Sequence, residues 1–332
     1  MHPILWPQQR NPAEAAFEHA PRLKDAWTFS SQRLAFVCDL LDEKSLPAEV
    51  AAVAASGSLS RMEAHSRSDL DLLIVVDDRR SAIDTRREQQ IASDVWSRLK
   101  DSGFQLPRTG GIFSKCARWS ELVDEASRGI VDADLTTFGQ RMQLLADAQP
   151  LARHDQFVEL QDQILAWYSE NRIAALFGEA GTFHWLWQDV QRYWRSLRSR
   201  SSWLYLDDRP KAMEINLKLR SSRLVIVAAF LRAISDAHCN ADSPEIQRQH
   251  LAHSLRLTPL ERLAANAESY TRRRLISAYE TAWSHITDAP AEWQTATSIP
   301  PAIDHALREL RTAVLDCLPS SQDDSDRSGW IF

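Results

Sequence analysis

Cysteine is scarce and scattered in this chain: Cys38, Cys116, Cys239 and Cys317 are the four among 332 residues. They form no Cys-x-x-Cys pair and keep no Cys/His ligand spacing, which argues against a disulfide framework or a structural zinc site and fits a reducing compartment. The opening MHPILWPQQR has neither the basic start nor the long apolar core of a secretory signal. The longest apolar run, Leu224 to Leu231, is far too short to span a bilayer. A cytoplasmic protein without a membrane partner is therefore expected. A strong charge of one sign is also missing, since the formal net charge of −6 is too mild to argue for any partner by itself. No internal repeat is visible.

What is there reads as a soluble globular protein, with 44% hydrophobic and 25% charged residues. The length allows two domains of ordinary size. Residues 1–25, rich in Pro, Gln and His, read as an arm. Residues 26–150 mix strand and helix signals and are expected to form an α+β domain, a small mixed sheet flanked by helices. Within it, SQRLAFVCDLLDE puts Leu34, Val37, Leu40 and Leu41 on one helix face, and EVAAVAASGS is a short apolar strand stopping at Gly57. A strand from Asp69 to Val76 follows, then an amphipathic helix ending at Gly103, a candidate strand around GGIFSKCAR, and a helix after Asp134. From residue 151 to 318 the strand signals vanish, predicting an all-α domain with helices over 155–178, 182–203, 211–237, 258–287 and 301–317. Thr258-Pro259-Leu260-Glu261 has the form of a capping box with proline at the first helical position. Residues 319–332, polar and acidic until the last three, read as a flexible tail. Eight of the twelve tryptophans fall after residue 160, mostly in helical patterns, as core packing would place them.

The stretch SGSLSRMEAHSRSDLDLLIVVDD, from Ser56 to Asp78, carries the chemistry. Asp69 and Asp71 stand at the mouth of an aliphatic strand, two residues apart and so on one face. Two like charges there repel, and burying them uncompensated would cost several kcal/mol, so a positive group is expected between them. Gly57-Ser58 closes the preceding strand, and nine residues separate it from Ser68. A turn without bulky side chains lets backbone N–H groups and the serine hydroxyl approach a phosphate. Two carboxylates beside it are suited to one or two Mg²⁺ ions, which prefer oxygen ligands and bridge protein to triphosphate. Between the two halves, His65 reads as a loop residue, and Arg61 stands between a triphosphate ligand and a surface arginine.

This pattern resembles the signature of the DNA polymerase β-like nucleotidyltransferase superfamily, carried here by Gly57, Ser58, Asp69 and Asp71, with Ser68 preceding the first aspartate. The resemblance covers about residues 45 to 150, and a helical domain after the catalytic one is also typical of that superfamily. DADLTTFGQRMQLLADAQPL is more weakly similar to a segment of the uridylyltransferase domains that modify the PII signalling protein, and of their uncharacterised bacterial relatives. The resemblance implies a Mg²⁺- or Mn²⁺-dependent transfer of a nucleoside monophosphate from an NTP or dNTP to a hydroxyl, with release of pyrophosphate. It also implies a third carboxylate on a later strand. GGIFSKCAR has none, which leaves Asp132 or Asp134.

Residues 181 to 232 hold ten Lys/Arg against four Asp/Glu. Arg192, Arg195 and Arg198 step by three along one helix face, and Lys218 and Ser222 lie one turn apart with Arg223 close by. Arg192, Arg195, Lys218 and Ser222 are candidate nucleotide ligands from a helical domain closing over the cleft. Single-stranded nucleic acid is a further candidate partner for this basic stripe, with Trp185, Trp187, Tyr193 or Trp194 as stacking surfaces. The acceptor stays open among a protein side chain, a nucleotide and an oligonucleotide, the last two known for this fold in bacterial nucleotide signalling and phage defence. The alternative is a catalytically silent nucleotide-binding sensor or the neutralising half of a two-protein system.

Overall fold

The computed structural model describes residues 17, 19–100, 103, 112–124, 135–169, 182–239, 243–265, 267–288, 293–294, 296 and 298–318. In chain order the first elements are α1 (Pro21–Leu40), β1 (Val50–Ser56), the single-turn α2 (Gly57–Ser60), β2 (Asp71–Val76), α3 (Thr85–Lys100), β3 (Ala117–Arg118), the single-turn α4 (Trp119–Leu122), α5 (Leu135–Ala146), β4 (Gln149–Ala152) and α6 (His154–Ser169). Helices follow: α7 (His184–Asp207), α8 (Arg209–Arg220), α9 (Ser222–Cys239), α10 (Pro244–Leu255), α11 (Pro259–Ala265), α12 (Ser269–Asp288) and α13 (Pro301–Asp316). The described residues pack as two units, one drawn from Ala26–Thr182 and Ser243–Thr258, the other from Asn11–Asp25, Phe183–Asp242 and Pro259–Phe332.

The first unit is built on a mixed sheet in the order β3-β2-β1-β4. β1 is antiparallel to both β2 and β4, whereas β2 and β3 run parallel. Every residue of β1 is buried, and its Ala and Val side chains are small enough for α5 and α6 to pack closely against it. α1 buries Leu34 and Val37 as the periodicity predicts, and Leu41 just after its end, whereas Leu40 is only half-buried. α3 turns Ile91, Val95 and Leu99 inward. It starts where the Asp84 carboxylate accepts the Arg87 N–H at 2.7 Å.

Two elements of this unit escape the sequence pattern. β4 carries Pro150, which reads as a break, yet β4 is the edge strand beside β1, and an edge tolerates a residue without an N–H. α10 packs against α6 and begins at Ser243, whose hydroxyl accepts the Ile246 N–H at 3.3 Å ahead of Pro244. α6 itself, from the stretch that reads as the start of an all-helical domain, packs on β1 and β4.

The second unit is helical in all its described elements. Its core is α9, where each residue from Leu224 to Leu231 is buried against neighbours that include α8 and α11. The helix expected over 211–237 is divided at Ser221, whose backbone leaves the helical region at φ −121° and ψ −103°. The pattern over 258–287 likewise divides into α11 and α12. Among the described residues no helix is long and apolar enough to cross a membrane.

Candidate functional site

The end of the β1–β2 pair brings the two halves of the motif together. Ser56, the last residue of β1, pairs with Asp71, the first of β2. Gly57 then turns the chain with φ +79°, in the left-handed region that favours glycine. A Cβ on Gly57 would stand 2.7 Å from Oδ2 of Asp71, so the turn fits against the carboxylate only because that atom is missing. The turn is tied internally: Ser60 Oγ donates to the Gly57 carbonyl at 2.8 Å and Glu63 N–H to the Ser58 carbonyl at 3.0 Å. Ser58 is half-buried, and its hydroxyl has no hydrogen-bond partner among the described residues.

The strand begins at Asp71 and not at Asp69, a correction to the expected span. Its partner β1 ends opposite Asp71, so the residues before it have no strand to pair with. Asp69 is exposed, Leu70 is buried and Asp71 is half-buried, whereas the rest of β2, Leu72 to Val76, is buried throughout. Ser68 helps shape that loop, because its hydroxyl accepts the His65 N–H at 3.0 Å while its own N–H donates to the His65 carbonyl at 2.9 Å.

Behind the turn lies a polar cluster that the sequence did not announce. The Ser56 hydroxyl donates toward Gln143 Oε1 at 2.6 Å and Asp147 Oδ1 at 2.9 Å. Arg61 donates through Nε to Glu63 Oε1 and through Nη1 to Asp147 Oδ2, both at 2.6 Å. The Asp147 side chain is 1% exposed and that of Arg61 13%. Arg61 is therefore neither a surface arginine nor turned to a ligand; it is pinned between two carboxylates. The cluster joins the end of β1, the loop after α2 and the end of α5. Gln149 on β4 adds a hydrogen bond from its side-chain amide to the Ser60 carbonyl.

Carboxylates at the far end of β2 are committed elsewhere. Asp77 bonds to Arg79, and that hydrogen bond holds its carboxyl below the usual range. Asp78 accepts the Ser120 N–H at 2.9 Å. The two residues of β3 supply no carboxylate. Asp132 and Asp134 lie outside the described residues, and among those described no three His, Cys, Asp or Glu side chains form a group able to hold a metal ion. The pair Asp69 and Asp71 fits a hard divalent cation by the chemistry of its oxygen donors, and the glycine that leaves room at Asp71 Oδ2 fits the same purpose.

The remaining candidates belong to the second unit. Arg192 and Arg195 are on α7, where Arg192 stands 3.4 Å from Asp189 and Arg195 is exposed. Lys218, on α8, donates to Glu214 at 2.7 Å, and Lys211 shares the same carboxylate. Partial burial would raise the pKa of Glu214, but hydrogen bonds from the two lysines outweigh it and bring it to about 2. Ser222 is half-buried as the first residue of α9.

Residues 23–131 match the family model described as "Putative nucleotidyltransferase DUF294". The matched span contains the whole β1–turn–β2 arrangement and, with it, Gly57, Ser58, Ser68, Asp69 and Asp71. No curated protein and no solved structure matches the chain. The likeness over this span supports a nucleotidyltransferase type of domain, in agreement with the small mixed sheet and the helical C-terminal part.

Proposed function

We propose that the chain is a Mg²⁺- or Mn²⁺-dependent nucleotidyltransferase of the polymerase β-like kind. The observation that carries this reading is the approach of the Gly57 turn to the Asp71 carboxylate, where even one methyl group would intrude. Asp69 and Asp71 would hold the metal, with Asp134 as the candidate third carboxylate. Bound there, a divalent ion would offset triphosphate charge and lower the pKa of an attacking hydroxyl. The chain's own contributions are positional. Gly57 would let backbone approach the phosphates, and the Ser58 hydroxyl, without a hydrogen-bond partner among the described residues, would donate to a phosphate oxygen. Ser68 holds the loop from which Asp69 projects. Arg192, Arg195, Lys218 and Ser222 are proposed as further cationic and hydroxyl ligands of the nucleotide.

In the reaction the acceptor oxygen bonds to the α-phosphorus of an NTP or dNTP, the bond to pyrophosphate breaks, and the hydroxyl proton passes to solvent. The acceptor is a protein side chain, a nucleotide or an oligonucleotide, and a role in bacterial nucleotide signalling or phage defence accords with the last two. A second reading, a silent nucleotide-binding sensor or neutralising partner, rests on the stretch GGIFSKCAR, which contains β3 and carries no carboxylate. The two are separated by pyrophosphate release from each NTP and dNTP with Mg²⁺ or Mn²⁺, with products resolved by mass. Release by the wild type that falls at least about 100-fold in Asp71→Asn supports the enzyme. Nucleotide binding without release supports the silent module, and release unchanged in Asp71→Asn contradicts the site.

A further inference from the structure

The C-terminal half of α7 exposes large aromatic and aliphatic side chains. Trp203 is 73% exposed and Leu206 76%, on the side away from the buried Leu186, Val190, Trp194 and Ser201; Tyr205, 53% exposed, follows Ser201 by one turn and lies on that other side. Exposed groups of this kind mark interaction sites when they are contiguous. Here Trp203 and Leu206 are neighbours three residues apart and are flanked by cations. Arg195, Trp203 and Leu206 fall on one side of a 3.6-residue helix, and Arg200 is one turn before Trp203. Arg195 and Arg200 are exposed and have no carboxylate partner among the described residues. At the end of the ridge, the Arg209 guanidinium lies 5.3 Å from the centre of the Tyr205 ring. Of the two acids beside it, Asp208 accepts the Lys211 N–H at 3.0 Å as the cap of α8.

We infer that this ridge binds single-stranded nucleic acid. Two chemistries on one exposed strip decide the class of partner. Guanidiniums without carboxylates suit a chain of phosphates, and open aromatic faces suit unpaired bases, which stack on tryptophan or tyrosine without regard to sequence. A purely apolar partner would leave the arginines uncompensated. A membrane-surface helix would carry a continuous apolar face, whereas here the exposed Trp185 in the first turn is separated from Trp203 and Leu206 in the last turns by the exposed Arg195, Arg198 and Arg200. The inference goes beyond nucleotidyl transfer and does not need it, because binding is read without NTP or metal.

The test is fluorescence anisotropy of labelled 20-nucleotide oligo-dT and oligo-U, titrated with the full chain over a range of KCl concentrations. The wild type is expected to bind at about 50 mM KCl and to weaken steadily with salt. Arg195→Ala/Arg200→Ala should bind about 10-fold more weakly and lower the slope of log affinity against log salt by about 1.4, roughly 0.7 for each phosphate no longer neutralised. Trp203→Ala should also weaken binding about 10-fold, with the slope unchanged, because a stack and not a charge is removed. All three side chains are exposed, and circular dichroism checks that the fold is kept. Absence of binding at low salt, or wild-type affinity in both variants, overturns the inference. So does binding confined to phosphatidylserine vesicles, or self-association that Trp203→Ala abolishes, since either gives the ridge another occupant.

Discussion

At the residue scale, Gly57 bears the most specific claim. Alanine there would be strained twice, by a left-handed φ of +79° and by a Cβ 2.7 Å from Asp71 Oδ2. The backbone conformation alone costs about 1–2 kcal/mol in a non-glycine residue. Gly57→Ala is expected to lower unfolding free energy in urea by about 1–3 kcal/mol. Nucleotide turnover should fall more steeply than stability, because the carboxylate is what must move. A variant with wild-type stability and activity would mean that the turn does not lean on Asp71. This residue was legible in the sequence as half of a Gly-Ser/Asp-x-Asp pattern, but its approach to Asp71 was not, since periodicity and spacing say nothing about which atoms meet across a strand pair. Asp71 was equally legible, whereas Asp69 was expected within the strand and stands just before it.

At the element scale, what fastens the turn is a cluster drawn from two stretches distant in sequence, residues 56–63 and 143–149. Arg61 and Asp147 are 86 residues apart, and only the pairing of β1 with the strand after α5 brings them together. Nothing local to either residue points to the other, which is why Arg61 reads from sequence as either a triphosphate ligand or a surface arginine and Asp147 attracts no notice. Arg61→Ala would leave Asp147 and Glu63 buried without their cation, and breaking such a pair from one side typically costs about 3–5 kcal/mol. Urea unfolding of Arg61→Ala is the check. A loss below about 1 kcal/mol would place this pair with ordinary surface salt bridges instead. Strong local signals elsewhere were read directly: the aliphatic run of β2, the amphipathic α3 and the proline start of α11. β4 and α10 were not, because edge pairing licenses Pro150 and a proline-started cap begins α10 where no strong apolar period marks it.

At the scale of the whole molecule, the chain comprises an α+β unit whose β1–β2 end carries the motif and a helical unit around the apolar α9. The mixed class and the helical C-terminal part could be read from where strand signals stop. The participation of α6 and α10 in the sheet unit could not, because membership of a unit is decided by packing partners and not by helix type. The central claim is that the Gly57 turn and the Asp69–Asp71 pair form a metal-dependent nucleotide site. Its most direct test is calorimetric titration with α,β-methylene nucleoside triphosphates, which cannot release pyrophosphate, with and without Mg²⁺. The wild type is expected to bind at least one of them only when Mg²⁺ is present, and Asp69→Asn/Asp71→Asn to bind at least about 10-fold more weakly, a difference of about 1.4 kcal/mol. Equal affinity in wild type and variant, or no binding of any base, would contradict it.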